Sequence, residues 1–386
     1  MKRLLIIITM ICCLGLCGCG DRIDLDSLGL VLGVGLDLVP EKEIKNGEKV
    51  RIVVEMDNVE VSNEGQDNSN EGFFLESTGK TVAEAFSNLS SQVEKNLSFG
   101  HMKVLIVGDS VAKDSLNNYL DYFLRNAEVP PLIYLLLTEG ETKKVFDSKN
   151  KMMRFVSTDL AFMLSGKKNK SNGKFVSTTM QDYLETMIIP HQSILLPVVS
   201  TLKDPTSIEL KKIAVLDYNG TFVEYLDQDC HVGSIMFLED NFHFMLPIKI
   251  NNTLEKVSMD VKEVKKKKQW SFVDGHPQLT YKISTYCVIK SIMGYRESKY
   301  FDTNEDANIC KNVLTKYAYI NWQNALEMEQ DYLLIGNELR KHYYDYWLSV
   351  KDDWPRAMKD IKLNVEINSR IDHVNDINRL FWKRDD

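Results

Sequence analysis

The cysteines and histidines of this 386-residue sequence form none of the pairs that hold metals or make disulfide frameworks. No two histidines stand in an H-x-x-x-H or H-E-x-x-H pair, and beyond residue 19 the only cysteines are Cys230, Cys287 and Cys310. Three widely separated thiols indicate neither a disulfide framework nor a zinc site. One pair could still form, but buried free thiols are the more frequent case. We therefore expect no metal and no cofactor, and a structural or surface role for each histidine.

Sequence patterns typical of enzymes are missing too. No serine lies in a G-x-S-x-G elbow. The glycine-rich run Leu28–Leu38 has Leu38 where a dinucleotide-binding loop needs its third glycine, so no phosphate site is predicted. Acidic clusters such as Glu327, Glu329 and Asp331 are better explained as helix-surface charges than as paired catalytic carboxylates. A triad assembled from distant residues is left open.

The sequence has no excess of positive charge. Fifty-five acidic residues against 47 basic ones give a formal charge of −8. A body with this charge does not attract phosphate backbones, so we expect no nucleic-acid partner. It also gains nothing electrostatically from an anionic lipid surface.

Two segments are candidates for contact with a partner. The basic run Val261–Trp270 could touch anionic lipid or an acidic protein, although a solvated strand end and turn is the favoured interpretation. Trp347, Val350 and Trp354 have the spacing of one helix face. This spacing favours burial of the two tryptophans against the sheet over a partner-binding surface.

The apolar run near the N-terminus is too short to span a membrane. Lys2 and Arg3 precede a run from Leu4 to about Cys17, whereas a spanning helix needs about 20 residues. The length and the positive flank are typical of a signal peptide.

The residues before Cys19 indicate the kind of signal peptide. Leu16 is too large for ordinary signal peptidase, but Leu16 and Gly18 before Cys19 fit the pattern that bacterial lipoprotein processing accepts. We therefore predict a signal peptide over residues 1–18 and a diacylglyceryl group on the Cys19 thiol. Two acyl chains on one cysteine anchor a protein durably, which one chain does not. An uncleaved anchor and an ordinary secretory leader are the alternatives.

Strands and helices alternate in the first half of the remaining chain. The alternation runs from about residue 70 to 147 and includes a T-x-x-E capping box at Thr81 and Glu84. This pattern predicts a parallel or mixed sheet with helices packed on it. Residues 19–200 are therefore predicted to form an N-terminal α/β domain of one or two lobes.

Beyond a boundary near Pro205 the pattern changes. A hairpin turn is predicted at 218–220, and period-two alternation, as at Val257, Met259 and Val261, is typical of antiparallel strands with one buried face. Residues 206–386 are predicted to form a C-terminal α+β domain, an antiparallel sheet with a long helical region over about 305–346. The predicted apolar stripe of that region comprises Ile309, Val313, Tyr317 and Ile320.

Several segments together resemble one known family. They are CGDRIDLDSLGLVLGVGLD from Cys19, the stretch from STGKTVAEAF to LRNAEVP, HQSILLPVVS, DYLLIGNELRKHYYDYW, DDWP and IKLNVEINSRI. In pattern and order they are similar to the Ger(x)C family, the lipoprotein C subunits of nutrient germinant receptors in spore-forming bacteria. Gly20 is a departure, since members often have Trp there. The resemblance runs nearly end to end, without one diagnostic motif.

The resemblance implies a non-enzymatic protein with an elongated α/β fold of more than one domain. It implies a lipid anchor on the outer face of the inner spore (cell) membrane, beside a multi-spanning A subunit and a transporter-like B subunit. Together these would start germination in response to small nutrients, and direct contact with the nutrient is left open. A solute-binding lipoprotein of a transporter is the alternative, and it predicts two similar α/β lobes. An exported lipid-anchored enzyme is a third hypothesis.

Overall fold

A computed structural model of the chain describes residues 27–58, 73–148, 155–165, 175–202, 207–249, 256–293 and 303–371. The predicted signal peptide and Cys19 lie outside these residues. The described residues form two β-sheets with helices packed against them.

The first sheet is mixed, with a parallel centre and antiparallel flanks. Its strands are β1 Leu28–Leu38, β2 Val50–Asn58, β3 Phe73–Gly79, β4 Asn96–Ser98, β5 Val104–Gly108, β6 Tyr134–Thr138, β7 Ile194–Thr201, β8 Ile208–Leu216 and β9 Phe222–Tyr225. Their order is β3-β2-β1-β5-β6-β7-β8-β9, with β4 paired to β1 next to β5. Strands β1, β5, β6 and β7 pair in parallel, and both flanks pair antiparallel. Helices cover both faces of the parallel centre, which explains why its strands are apolar almost throughout.

The helices that accompany this sheet are short. They are α1 Val82–Ser90, α2 Asp109–Asp114, α3 Asp121–Arg125, α4 Thr142–Phe146, α5 Val156–Leu164 and α6 Met180–Met187, with 3-10 turns at Glu41–Glu43 and Leu116–Asn118. Half of the capping box predicted for α1 forms, since the Glu84 N–H donates to the Thr81 hydroxyl. The Glu84 carboxylate accepts from the N–H of Lys80, one residue before the cap, in place of the Thr81 N–H.

The apolar spacing over residues 109–126 predicts a single helix, but the structure interrupts it at Ser115. The Ser115 hydroxyl donates to the carbonyl of Asn219, 2.5 Å away, and the Leu116 N–H donates to the carbonyl of Gly220 at 2.9 Å. Bonds to a distant turn thus replace the local helical bonds, which sequence periodicity alone does not reveal.

The second sheet contains β10 His243–Lys249, β11 Lys256–Val273, β12 His276–Met293 and β13 Lys362–Ile371. Its first three strands are antiparallel, as predicted, but β13 pairs with β12 in parallel. A parallel pair needs a long crossover, and the chain between β12 and β13 supplies one.

The helices of this half are α7 Gln228–Leu238, α8 Thr303–Met328, α9 Ile335–His342, α10 Tyr344–Val350 and α11 Trp354–Lys359, with a 3-10 turn at Lys351–Asp353. The predicted fold class, a mixed-sheet α/β region followed by a second sheet with a long helix, is confirmed.

The hairpin predicted just beyond Pro205 forms as β8 and β9, but it extends the first sheet through pairing of β8 with β7. Inward-facing residues of these strands, Leu195, Ile213 and Val215, belong to the same hydrophobic cluster as α8 and the second sheet. The two sheets therefore share a core. A domain boundary between residues 200 and 206 stays a prediction.

The buried face of α8 differs from the predicted stripe. Ile309, Val313, Tyr317 and Ile320 are only partly buried against the core. The line that is at most 1% exposed comprises Cys310, Leu314, Ala318 and Ala325. The sequence period was right, but the stripe was placed about one residue too early.

Two glycines of β1 allow helices to approach the sheet closely. A Cβ atom at Gly33 would lie 1.9 Å from Ser157 Oγ, and one at Gly35 would lie 2.3 Å from Thr142 Oγ1. Thr142 and Ser157 lie in the first turns of α4 and α5. The glycine-rich run therefore serves helix–sheet packing.

Candidate functional site

Three segments that carry the family resemblance meet in a buried cluster, which we call the Asp331 seam. It consists of Gln192, Asp331, Ile335, Gly336 and Trp354. Asp331 Oδ2 accepts hydrogen bonds from Gln192 Nε2 at 2.5 Å and from Trp354 Nε1 at 2.9 Å. Its carboxylate also accepts the backbone N–H groups of Ile335 and Gly336 at 2.9 and 2.7 Å. One carboxylate thus connects the segment that precedes β7 with the start of α9 and with α11.

The electrostatics of Asp331 reflect its complete burial. The residue is 1% exposed, and this burial raises the pKa of its carboxyl, while the four N–H donors act in the opposite direction. A carboxylate at a helix N-terminus satisfies otherwise unpaired N–H groups and complements the helix dipole. All four neighbours are donors, and the buried carboxylate presents almost no exposed surface to a substrate. The arrangement is suited to holding segments together.

Steric contacts reinforce the seam. A Cβ atom at Gly336 would lie 2.8 Å from Trp347 Cζ3 and 3.0 Å from Gln192 Nε2, so α9 begins in direct contact with both side chains. The rings of Trp347 and Trp354 meet edge to face, with centroids 5.0 Å apart. Both tryptophans are buried, as predicted, but they lie on separate helices, α10 and α11.

The sequence interpretation of Asp331 as a helix-surface charge was wrong. Its partner Gln192 is 139 residues away along the chain, and such a separation leaves no local signal. The one available signal was an acidic residue directly before a helical segment, a position that favours a cap.

Two further buried carboxylates cap helices on the first sheet. Asp37, at the end of β1, accepts the backbone N–H of Thr142 at 3.0 Å and its hydroxyl at 2.6 Å, and burial raises the pKa of Asp37 to about 6. Glu55 on β2 accepts the N–H groups of Val156 and Ser157, each at 2.8 Å, and burial raises its pKa as well. Single acids within the apolar strands of 28–38 and 50–56 were the signal for both sites.

Histidines and other possible metal ligands of the described residues form no cluster. Within the described ranges, no three side chains of His, Cys, Asp or Glu converge as a metal site would require. His231 is buried, with a ring nitrogen 3.0 Å from the carbonyl of Leu226, and burial lowers its pKa. His243 contacts Asp260. These contacts are structural.

The basic run lies within β11, and acidic residues from other elements of the chain neutralise part of its charge. Lys266 has a side chain only 7% exposed, which donates to the carbonyl of Glu239 at 2.6 Å and pairs with Asp240 at 3.0 Å. Lys268 pairs with Glu338 at 3.0 Å. The charge available to an external anion is therefore smaller than the sequence suggests.

A polar recess of about 650 Å³ opens beside β2 and β3. Arg51 there pairs with Glu43 and Glu141 at 2.9 and 3.4 Å, and Lys143 pairs with Glu76 at 2.9 Å. Small-molecule sites are mostly apolar with a few converging polar groups. A recess of paired charges does not have that character.

The structure does not place Cys19, the one predicted attachment residue, because it precedes the described ranges. Among the helices of the described ranges, none combines the length and the apolar character needed to cross a membrane.

Comparison with known proteins identifies the family. The model for the spore germination protein N-terminal domain matches residues 21–201, and the model for the spore germination B3/GerAC-like C-terminal domain matches residues 211–375. The chain belongs to this spore germination family. The Ger(x)C resemblance of the sequence is thereby confirmed.

Curated family members match along most of their length. Spore germination protein KC of Bacillus subtilis (strain 168) is 20% identical over 404 residues, covering 96% of this chain and 95% of that protein. Spore germination protein A3 of the same organism is 23% identical, covering 96% and 97%. Spore germination protein GerQC of Bacillus cereus is 21% identical, covering 76% and 80%.

A solved structure supports the fold. The crystal structure of the GerBC protein matches with a TM-score of 0.57 and 15% identity, covering 92% of this chain and all of that one. The likeness extends over both sheets.

Proposed function

We propose that this chain is the lipid-anchored C subunit of a nutrient germinant receptor, without catalytic activity of its own, and that it acts with membrane A and B subunits to start spore germination. The observation that carries the proposal is the pair of family matches over 21–201 and 211–375, directly preceded by the lipoprotein pattern that ends at Cys19.

The lipid anchor gives the proposed subunit its physical role. Two acyl chains on Cys19 would hold the body at the outer face of the inner spore membrane. Confinement to a thin layer beside the partner subunits raises their effective concentration, so weak contacts become occupied. The acidic body is not attracted electrostatically to anionic lipid, so its position at the membrane would depend on the anchor.

Two polar clusters of the body agree with a non-catalytic role. The Asp331 carboxylate is surrounded by donors, and Arg51 and Lys143 of the recess beside β2 are each paired with acidic side chains. The two sheets also differ in strand number and order, whereas a solute-binding lipoprotein would have two similar lobes.

Replacement of Cys19 by Ala tests the proposal. Full-length chain with Cys19→Ala should leave the membrane fraction, fail to incorporate labelled palmitate and abolish the nutrient response of spores. Cys17→Ala is the matched control, because it removes a thiol two residues upstream that the proposal leaves unmodified. Full membrane retention and a normal response in Cys19→Ala spores would refute the proposal.

A second measurement separates the proposal from the solute-binding alternative. The detergent-purified full chain is titrated calorimetrically with amino acids and sugars in turn. A receptor subunit that acts through its partners should give no tight binding when isolated, and pull-down from spore membranes should recover multi-spanning partners. Tight binding by the isolated chain without such partners would favour the alternative.

A further inference from the structure

Two of the three described cysteines face each other inside the shared core. Cys287 lies on β12 and Cys310 on α8, and their sulfur atoms are 3.3 Å apart. Both residues are fully buried. A disulfide has an S–S distance of about 2.05 Å, so the two atoms need to approach by a little more than about 1 Å to bond.

The surroundings favour this pair over any other. Cys230 is occupied elsewhere, where its sulfur accepts from Asn324 Nδ2 at 3.3 Å. Next to Cys287, the hydroxyls of Thr285 and Ser369 lie 2.8 Å apart, so small side chains flank the sulfur pair.

The two thiols are hydrogen-bonded to each other, and either sulfur can be the donor. Before the core closes, either cysteine can supply the thiolate that begins the exchange. The thiolate is the form that attacks a disulfide.

We propose that Cys287 and Cys310 form a disulfide in the mature protein, which links β12 of the second sheet covalently to α8. This inference rests on the proposed position outside the cytoplasm, because disulfides persist in oxidising compartments. It adds a modification site to a chain whose sequence alone favoured free thiols.

The oxidant is a thiol–disulfide oxidoreductase in its disulfide form. The thiolate of either cysteine, for example that of Cys287, attacks one sulfur of that disulfide, which forms a mixed disulfide and expels the oxidoreductase's second sulfur as a thiolate. The Cys310 thiolate then attacks the Cys287 sulfur, which forms the 287–310 bond and releases the other oxidoreductase sulfur. Two protein thiols are oxidised, one disulfide is reduced to a dithiol, and the two thiol protons pass to it. Because both cysteines are buried, these steps occur before the core closes.

The test examines the full chain from membranes of spores that express it. Thiols are trapped with acid, alkylated with N-ethylmaleimide in denaturant, and mapped by mass spectrometry before and after reduction. The expected result is one cross-linked peptide pair containing Cys287 and Cys310, two hydrogen masses lighter than the separate peptides. Cys230 should be alkylated without reduction. Alkylation of Cys287 and Cys310 before reduction in the membrane fraction would overturn the proposal.

Variants provide the controls. Cys230→Ser should keep the cross-link, whereas Cys287→Ser should free the Cys310 thiol for alkylation, and the reverse should hold for Cys310→Ser. The melting temperature of the chain without a substitution should fall by several degrees in reductant, whereas that of the Cys287→Ser variant should not change. Equal sensitivity of the two proteins to reductant would contradict the link.

Failure of the proposed function has a different signature. A chain absent from the membrane fraction would count against the lipid-anchored receptor subunit. In that case the full chain is purified in detergent, unfolded, and refolded in a mixture of oxidised and reduced glutathione. A cross-linked 287–310 peptide then supports the disulfide inference, and free thiols at both positions refute it.

Discussion

Replacement of Asp331 by Asn measures how strongly the seam holds the two halves of the chain together. The substitution keeps the volume of the side chain but turns one acceptor oxygen into an N–H₂ donor. Oδ2 accepts three hydrogen bonds and Oδ1 accepts one, so the amide loses least when its nitrogen replaces Oδ1. The N–H of Ile335 then faces another donor.

The magnitude follows from these four bonds. Hydrogen bonds to a charged group contribute about 1.5–3 kcal/mol and neutral ones about 0.5–1.5 kcal/mol. Loss of one bond and weakening of three gives about 5 kcal/mol, and relief from burying a charge offsets part of it. We expect Asp331→Asn to lower the free energy of unfolding by about 3 kcal/mol.

Urea unfolding followed by tryptophan fluorescence is the appropriate assay, because Trp347 and Trp354 lie at the seam. The midpoint should move to lower urea, with an early red shift of emission. Asp352→Asn is the matched control, since that side chain is 87% exposed and the substitution should leave the midpoint unchanged. An unchanged midpoint for Asp331→Asn, or an equal shift for the control, would refute the reasoning.

Three further substitutions test the first sheet. The pKa of Asp37 is about 6 in the folded chain against 3.8 unfolded, a difference of 2.2. The protonated form of Asp37 therefore stabilises the fold by about 3 kcal/mol. This contribution is complete below about pH 4 and is lost as the pH rises through 6. Asp37→Asn should remove this part of the pH dependence of the urea midpoint between pH 4 and 7. Gly35→Ala should lower the free energy of unfolding by about 1–3 kcal/mol through overpacking, and with it the melting temperature. Gly100→Ala, with no atom within 4 Å of the added Cβ, should leave the melting temperature unchanged. Thr81→Ala should cost about 1 kcal/mol through loss of the α1 cap, as measured by thermal unfolding monitored by circular dichroism, and an unaltered melting curve would argue against the cap.

Local patterns in the sequence predicted local structure well. The apolar run at 28–38 is a central strand, the Thr81 cap begins α1, and the alternation after residue 256 marks β11. Each of these depends on residues within a few positions of one another. The packing role of the glycine-rich run, by contrast, required the positions of α4 and α5.

Long-range contacts produced the differences between expectation and structure. The break at Ser115 depends on a bond to a residue 104 positions away, and the Asp331 seam depends on one 139 positions away. Similarly, the hairpin pattern of β8 and β9 was expected to belong to the C-terminal domain, but β8 pairs with β7 and so joins the first sheet. Neither periodicity nor propensity contains this information.

The position of β13 at the outer side of β12 has a consequence for biogenesis. The first sheet is complete once residue 225 is available, whereas the second cannot close until residues 362–371 have arrived. In a chain that emerges N-terminus first, the edge of β12 that later pairs with β13 therefore stays unpaired while about seventy further residues emerge. Truncations that remove the last strand would leave this edge open to association with other chains, with the first sheet already assembled.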